Sequence, residues 1–166
     1  MNPAFWADIR RDLDAAARYV HAASRRARSL ADGAAVLDPD IREDREAAIG
    51  LLIHNCYGAM ESALERIVQA IDGGLPTGPA YHADLVRRAG TAVEGVRPAV
   101  IAAGTAQALQ RLRSFRHIFR HAYDGYDYAR AVENVAVAED AVPAFRRDVS
   151  EFARKIGIAP QDGGPD

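Results

Sequence analysis

Apolar residues recur at steps of three and four along most of the chain, and no run alternates apolar with polar. Phe5, Ile9, Leu13, Ala16, Val20, Ala23, Ala27 and Leu30 form one stripe of an amphipathic helix over 5–30. The Asp32-Gly33 turn and the Asp38-Pro39-Asp40 cluster break it. A second helix is predicted from about 42 to 71, with Ile49, Leu52, Cys56, Met60, Ala63, Ile67 and Ile71 on its stripe. Asp72-Gly73-Gly74 stops it, and the Pro/Gly-rich stretch 75–79 reads as a loop. A short helix over 81–89 comes next, then a broken stretch with Gly95, Pro98 and Gly104. Helices over about 105–121 and 127–156 complete the pattern, and Pro143 is expected to kink or split the last one. Long amphipathic helices with short connections predict an all-α antiparallel bundle of four to five helices. We read 1–156 as a single domain and the Gly/Pro/Asp-rich 157–166 as a flexible tail.

Composition supports this picture. The chain has 166 residues, within the range of one domain. Of its 49% hydrophobic residues a large share are Ala, 34 in all, which favours helix over strand. The net charge of −2 excludes a uniformly basic nucleic-acid coat and an acidic disordered tail. The lone Cys56 can form neither an internal disulfide nor a cysteine metal site. No signal peptide or long apolar run is visible, so a soluble, cytoplasmic protein is expected. The common nucleotide-binding, metalloprotease and hydrolase motifs are absent.

The segment 111–123 departs from that balance, with four Arg, two His and no acid. On an ideal helix Leu109, Leu112, Phe115, Ile118 and Phe119 share an apolar arc. Arg113, Arg116, His117, Arg120 and His121 fill the adjoining arc, about 140° wide. Arg111 projects toward the apolar side and is expected to snorkel. A solvated basic face is the plain explanation. The alternative is phosphate chemistry: the Arg fork matches phosphate oxygens, and His can move a proton near neutral pH. Together they suffice to cleave RNA without a metal, because His can relay a proton while Arg stabilises charge on the phosphorus.

Arg116-x4-His121-x-Tyr123 resembles the Arg-x4-6-His motif of the HEPN superfamily, in the form with a following Tyr that marks HepT-like ribonuclease toxins. The Arg-x4-His spacing alone would arise by chance roughly 0.6 times in a chain of this composition, and roughly 0.02 times with the Tyr. Tyr57-Gly-Ala-Met-Glu61 is similar to the family's Tyr…Glu pattern on the second helix. Asp72-Gly73, Pro76, Gly78, Tyr81-His82 and Leu85 resemble the connecting segment of one subgroup. Phe115-Arg116-His117 and the closing Phe145, Asp148 and Phe152 also fit, so the likeness spans most of 5–156. Many relatives carry Asn directly after the motif Arg, where this chain has His117.

The resemblance implies a homodimeric helical bundle whose motif helices meet in a shared cleft. It implies a metal-independent endoribonuclease toxin with Arg116 and His121 as the catalytic pair, contributed twice. Arg113, His117 and Arg120 are then candidates to hold the RNA backbone. The resemblance also implies a partner antitoxin, a minimal (MntA-like) nucleotidyltransferase, that transfers AMP to Tyr123 in a type VII-like toxin–antitoxin pair. Added phosphate beside Arg116 would oppose RNA entry. The expected geometry has Arg116 and His121 pointing outward together, with a two-fold mate opposite. A catalytically silent partner-binding HEPN module and a plain helical adaptor are the competing readings.

The remaining candidates are weaker. Arg111-x5-His117 fits the loose motif but has Phe119 where the Tyr should stand. His117 and His121 stand i,i+4, but no acid or Cys shares their helix to complete a metal site, and no metal is expected. His54 reads as a hydrogen-bonded core or interface residue, His82 as a capping or packing residue, and His21 as surface. Cys56 reads as an inert core residue and Trp6 as an anchor. Glu61 is either exposed or a supporting residue paired with an Arg of the motif helix. Arg25-Arg26 and 42–46 read as solvated faces, and the first could extend an RNA path.

Overall fold

The fold follows from which stripe each helix buries. The structure, a computed structural model, describes residues 3–33, 37–121 and 129–157, with side chains described for 4–33, 37–116 and 130–157. Five helices account for the described fold: α1 (Pro3–Gly33), α2 (Pro39–Asp72), α3 (Tyr81–Ala89), α4 (Ala103–His121) and α5 (Ala129–Lys155). No strand occurs among the described residues; Val93 and Arg97 form one isolated antiparallel bridge.

α1 and α2 pack as an antiparallel hairpin. The predicted stripe of α1, with Ile9, Leu13, Ala16, Val20, Ala23 and Leu30, is buried, as is Trp6. The thiol of Cys56 lies 3.6 Å from the carbonyl of Ala16. Nearer the other end Arg66 donates to Asp12 at 2.9 Å and pairs with Asp8 at 3.5 Å. α2 opens with Pro39 in its first turn and the Asp38 carboxylate accepting from the Asp40 amide, an N-terminal signature. It closes on Gly73, whose φ of 74° is the left-handed conformation that terminates helices.

α5 runs antiparallel to both α1 and α4. Ser24 donates to Glu139, and Arg146 donates to Asp14 at 2.6 Å. Asp148 accepts from the Ala102 amide at 2.8 Å and so caps the start of α4. Of the kink or split expected from the sequence, Pro143 does not produce the split: the helix is continuous from Ala129 to Lys155. Pro143 is exposed, while Val142 and Phe145 beside it are buried. The carbonyl that loses its partner can therefore turn to water, and core burial holds the helix together.

α3 lies antiparallel to α4, from Ala106 to Arg116. Gly90 permits this approach, since a Cβ there would stand 3.3 Å from that of Ala106. The loop after α3 is fastened by Arg97, whose fully buried side chain forks onto Asp72 at 2.6 and 2.9 Å. The same guanidinium donates to the carbonyls of Thr91, Pro98 and Arg88. This staple fixes α3 against the end of α2, and with it the residue at its first turn, His82.

Candidate functional site

The buried face of α4 carries Leu109, Leu112 and Phe115, as its apolar arc predicts. Arg113 and Arg116 stand one turn apart on the side that meets α2 and α3, and both are half-buried. The facing stripe of α2 supplies Tyr57 and Glu61, an i,i+4 pair on one face. α3 adds Tyr81 and His82 at its start. Three helices thus bring a cation, a carboxylate, an imidazole and a phenol together.

Glu61 is the hub. Its side chain is only 7% exposed. The Tyr57 hydroxyl donates to its Oε1 at 2.9 Å, and His82 Nδ1 lies 2.7 Å from the same oxygen. Arg116 Nη1 lies 3.6 Å from its other oxygen, Oε2, and 3.4 Å from His82 Nε2. The guanidinium carbon stands 5.7 Å from the Tyr57 ring centroid, within range of a cation–π contact. A carboxylate can only accept, so His82 Nδ1 carries the hydrogen and Nε2 offers its lone pair toward Arg116. Burial, and then the neighbouring Glu61, push the Tyr57 phenol upward, so it remains a donor at working pH.

The surrounding contacts fix this group. Tyr81 donates to Glu65 at 2.7 Å and meets the His82 ring edge-on. Burial and then that hydrogen bond raise its phenol as well. Arg113 donates to Gln110 at 2.7 Å, and Gln110 donates to the Ala83 carbonyl at 3.1 Å, which joins α4 to α3. Arg116 Nε is buried without a hydrogen-bond partner. Among the described residues the guanidinium is therefore held through one long ion pair, one imidazole and one aromatic face. A charge-assisted hydrogen bond is typically about 2.7–2.9 Å, so this hold is loose.

Several sequence expectations meet the structure here. Glu61 is not exposed but pairs with Arg116 of the motif helix. Arg116 does not point outward: its side chain is 17% exposed and turned onto Glu61, because the buried carboxylate attracts the nearest guanidinium. Arg111 does not snorkel toward the core; it is exposed, in line with Gln107 and Ser114 on the outer face of α4. His82, read from the sequence as a cap or packing residue, sits inside the cluster. Its signal was the Tyr81-His82 pair at a helix start. Cys56 and Trp6 are buried and His21 is exposed, as expected. His117, Arg120 and His121 belong to α4, but their side chains lie outside the described residues, and so does Tyr123 altogether.

The sequence model of the HepT-like proteins matches residues 48–156. The chain belongs to the HepT-like family. The match covers more than half of the chain and contains the whole Glu61–His82–Arg116 cluster. As a HepT-like member of the HEPN superfamily, the protein is toxin-like and comes from a ribonuclease-related group. No curated protein and no solved structure matches the chain. Among the described residues of this HepT-like protein, no helix is long and apolar enough to cross a membrane, and no three His, Cys, Asp or Glu side chains gather as a metal site.

Proposed function

We propose that this HepT-like protein is a metal-independent endoribonuclease toxin acting as a homodimer, with Arg116 and His121 as its catalytic pair. The supporting observation is the cluster that ties Arg116 of α4 to Glu61 at 3.6 Å in a HepT-like chain. In this reading the ribose 2′-hydroxyl gives up its proton as its oxygen attacks phosphorus. The bond to the 5′-oxygen breaks, and that oxygen receives a proton. His121 relays a proton in this exchange, and Arg116 stabilises the charge that grows on the phosphoryl oxygens. Glu61 positions Arg116 between turnovers. Arg113, His117 and Arg120 hold the RNA backbone, which makes binding fall with salt.

Control belongs to a nucleotidyltransferase antitoxin, MntA-like, that joins the Tyr123 oxygen to the α-phosphorus of ATP and releases pyrophosphate. The added negative charge competes with RNA for the nearby guanidinium and imidazole groups. The cytoplasm, where both RNA and ATP are found, is the compartment this reading requires.

A digest of RNA with purified protein in EDTA tests the reading. Cleavage in EDTA, lost with Arg116→Ala and with His121→Ala, is the expected result. Cleavage that needs a divalent ion, or that survives His121→Ala, overturns the mechanism. The inward pairing of Arg116 favours one second reading, a catalytically silent HEPN module that binds a partner nucleotidyltransferase. Growth arrest on expression, relieved by Arg116→Ala, excludes it.

A further inference from the structure

His82 touches both members of the Glu61–Arg116 pair, with Nδ1 2.7 Å from Glu61 and Nε2 3.4 Å from Arg116. Only the neutral Nδ1–H tautomer satisfies both contacts. The ring is steadied by the edge of Tyr81, at 5.1 Å between centroids, and remains 40% exposed, so solvent protons reach it. We propose that His82 is a positioning residue for Arg116: neutral, it holds the guanidinium over Tyr57, and protonated, it releases it.

The argument turns on the Nε2 contact. On protonation Nε2 becomes an N–H donor facing a cationic N–H donor, and attraction becomes repulsion. The Nδ1–H bond to Glu61 strengthens at the same time, because both partners are then charged. Glu61 keeps the Tyr57 hydroxyl and the imidazolium, so a buried carboxylate is not stranded when Arg116 leaves. Among the described contacts, the loose 3.6 Å ion pair and the Arg116 Nε without a hydrogen bond leave little to break.

Among the described residues, the charged and titratable groups around His82 are few. Tyr57, Glu61 and Glu65 face it from α2, the last through Tyr81. Asp84 and Arg87 of α3 pair with each other at 3.0 Å. Arg113 and Arg116 face it from α4, and Arg113 is engaged with Gln110. Only Arg116 stands at Nε2 among the contacts described. The functional consequence rests on the ribonuclease reading: the released guanidinium is the form that takes an RNA phosphate, so RNA binds more tightly as pH falls.

The test follows nitrogen-15 signals of the His82 ring and of the Arg116 Nε–H in the full chain, from about pH 8 to 5, where imidazoles titrate. The expected result is an Nδ1–H ring at high pH and an Arg116 signal that moves with the His82 midpoint. His82→Asn keeps a donor for Glu61 but cannot be protonated, and it should leave the Arg116 signal still. An Arg116 signal that ignores His82, or that moves equally in His82→Asn, overturns the proposal. Should the variant misfold, the wild-type titration alone decides. A 2′-deoxy oligonucleotide that cannot be cleaved adds the second arm, with binding expected to tighten roughly tenfold at low pH, a typical coupling. Absent oligonucleotide binding with the two signals still linked overturns the ribonuclease reading and upholds the role of His82.

Discussion

A carboxylate as buried as Glu61 is stable as a charge only while its partners remain, and this makes the residue-scale energetics of the site testable. Glu61→Gln removes the counter-charge and leaves Arg116 mostly buried beside neutral groups. Breaking a tight, fully buried pair from one side costs about 3–5 kcal/mol, and this looser pair, whose guanidinium can turn to solvent, should cost less. The loss should appear in urea unfolding followed by the fluorescence of Trp6, the only tryptophan and itself buried. Glu61→Leu with Arg116→Met should recover most of it, since an apolar pair has no charge to strand. Cys56 offers a second residue-scale prediction. Burial pushes its thiol up to about 12, so almost no thiolate exists at pH 8. Iodoacetamide should leave the folded protein unmodified and alkylate it in urea; rapid labelling of the native state would contradict the packing described. Cys56 was legible in the sequence because its stripe position alone decides its burial. His82 was not, because its partners stand 21 and 34 residues away, on other helices.

At the scale of elements, the helix period made all five helices legible, with ends displaced by a few residues. The second helix starts at Pro39 rather than near 42 because Asp38 caps it, and α1 runs on to Gly33. What the period could not supply was the neighbour of a polar arc. The cationic side of α4 reads as a solvated stripe on a helical wheel, yet α3 lies against it, and Arg113 and Arg116 are half-buried. Nor did spacing reveal the Arg97 staple, whose acceptors come from α2 and from the loop itself. Arg97→Met should cost about 3–5 kcal/mol, the loss expected for one partner of a buried pair. A pH signature identifies the source. The Arg97 hydrogen bond holds the Asp72 carboxyl below its usual value of 3.8. A lowered native pKa stabilises above the unfolded value, and that contribution fades as pH falls through the native one. Wild-type protein should therefore lose melting temperature between neutral pH and about pH 3 more steeply than Arg97→Met. Parallel curves for the two proteins would show that Asp72 draws nothing from Arg97.

For the whole molecule, an all-α bundle was legible because every long segment repeats the same helical period, but a second copy leaves no such trace in one chain. The proposed ribonuclease needs that copy, since its cleft takes Arg116 and His121 from both motif helices. Arg116 bears on this requirement, because within one chain it faces Glu61 and His82 rather than an open groove. Light scattering should give about twice the 18.0 kDa of the chain. Mass alone, however, does not distinguish a shared cleft from two independent sites in one dimer. Subunit mixing does. When wild-type protein is unfolded and refolded with an equal amount of the Arg116→Ala/His121→Ala variant, random pairing leaves about a quarter of the dimers wholly wild-type. If cleavage needs both motif helices, activity per total dimer falls to about a quarter of the wild-type value; if each chain cuts alone, it falls only to about half. The pairing must be random for the comparison to hold, which tagged subunits separated by affinity can check. Activity near half, with mixed dimers confirmed, would place the complete catalytic pair within one chain and remove the reason for a two-fold cleft.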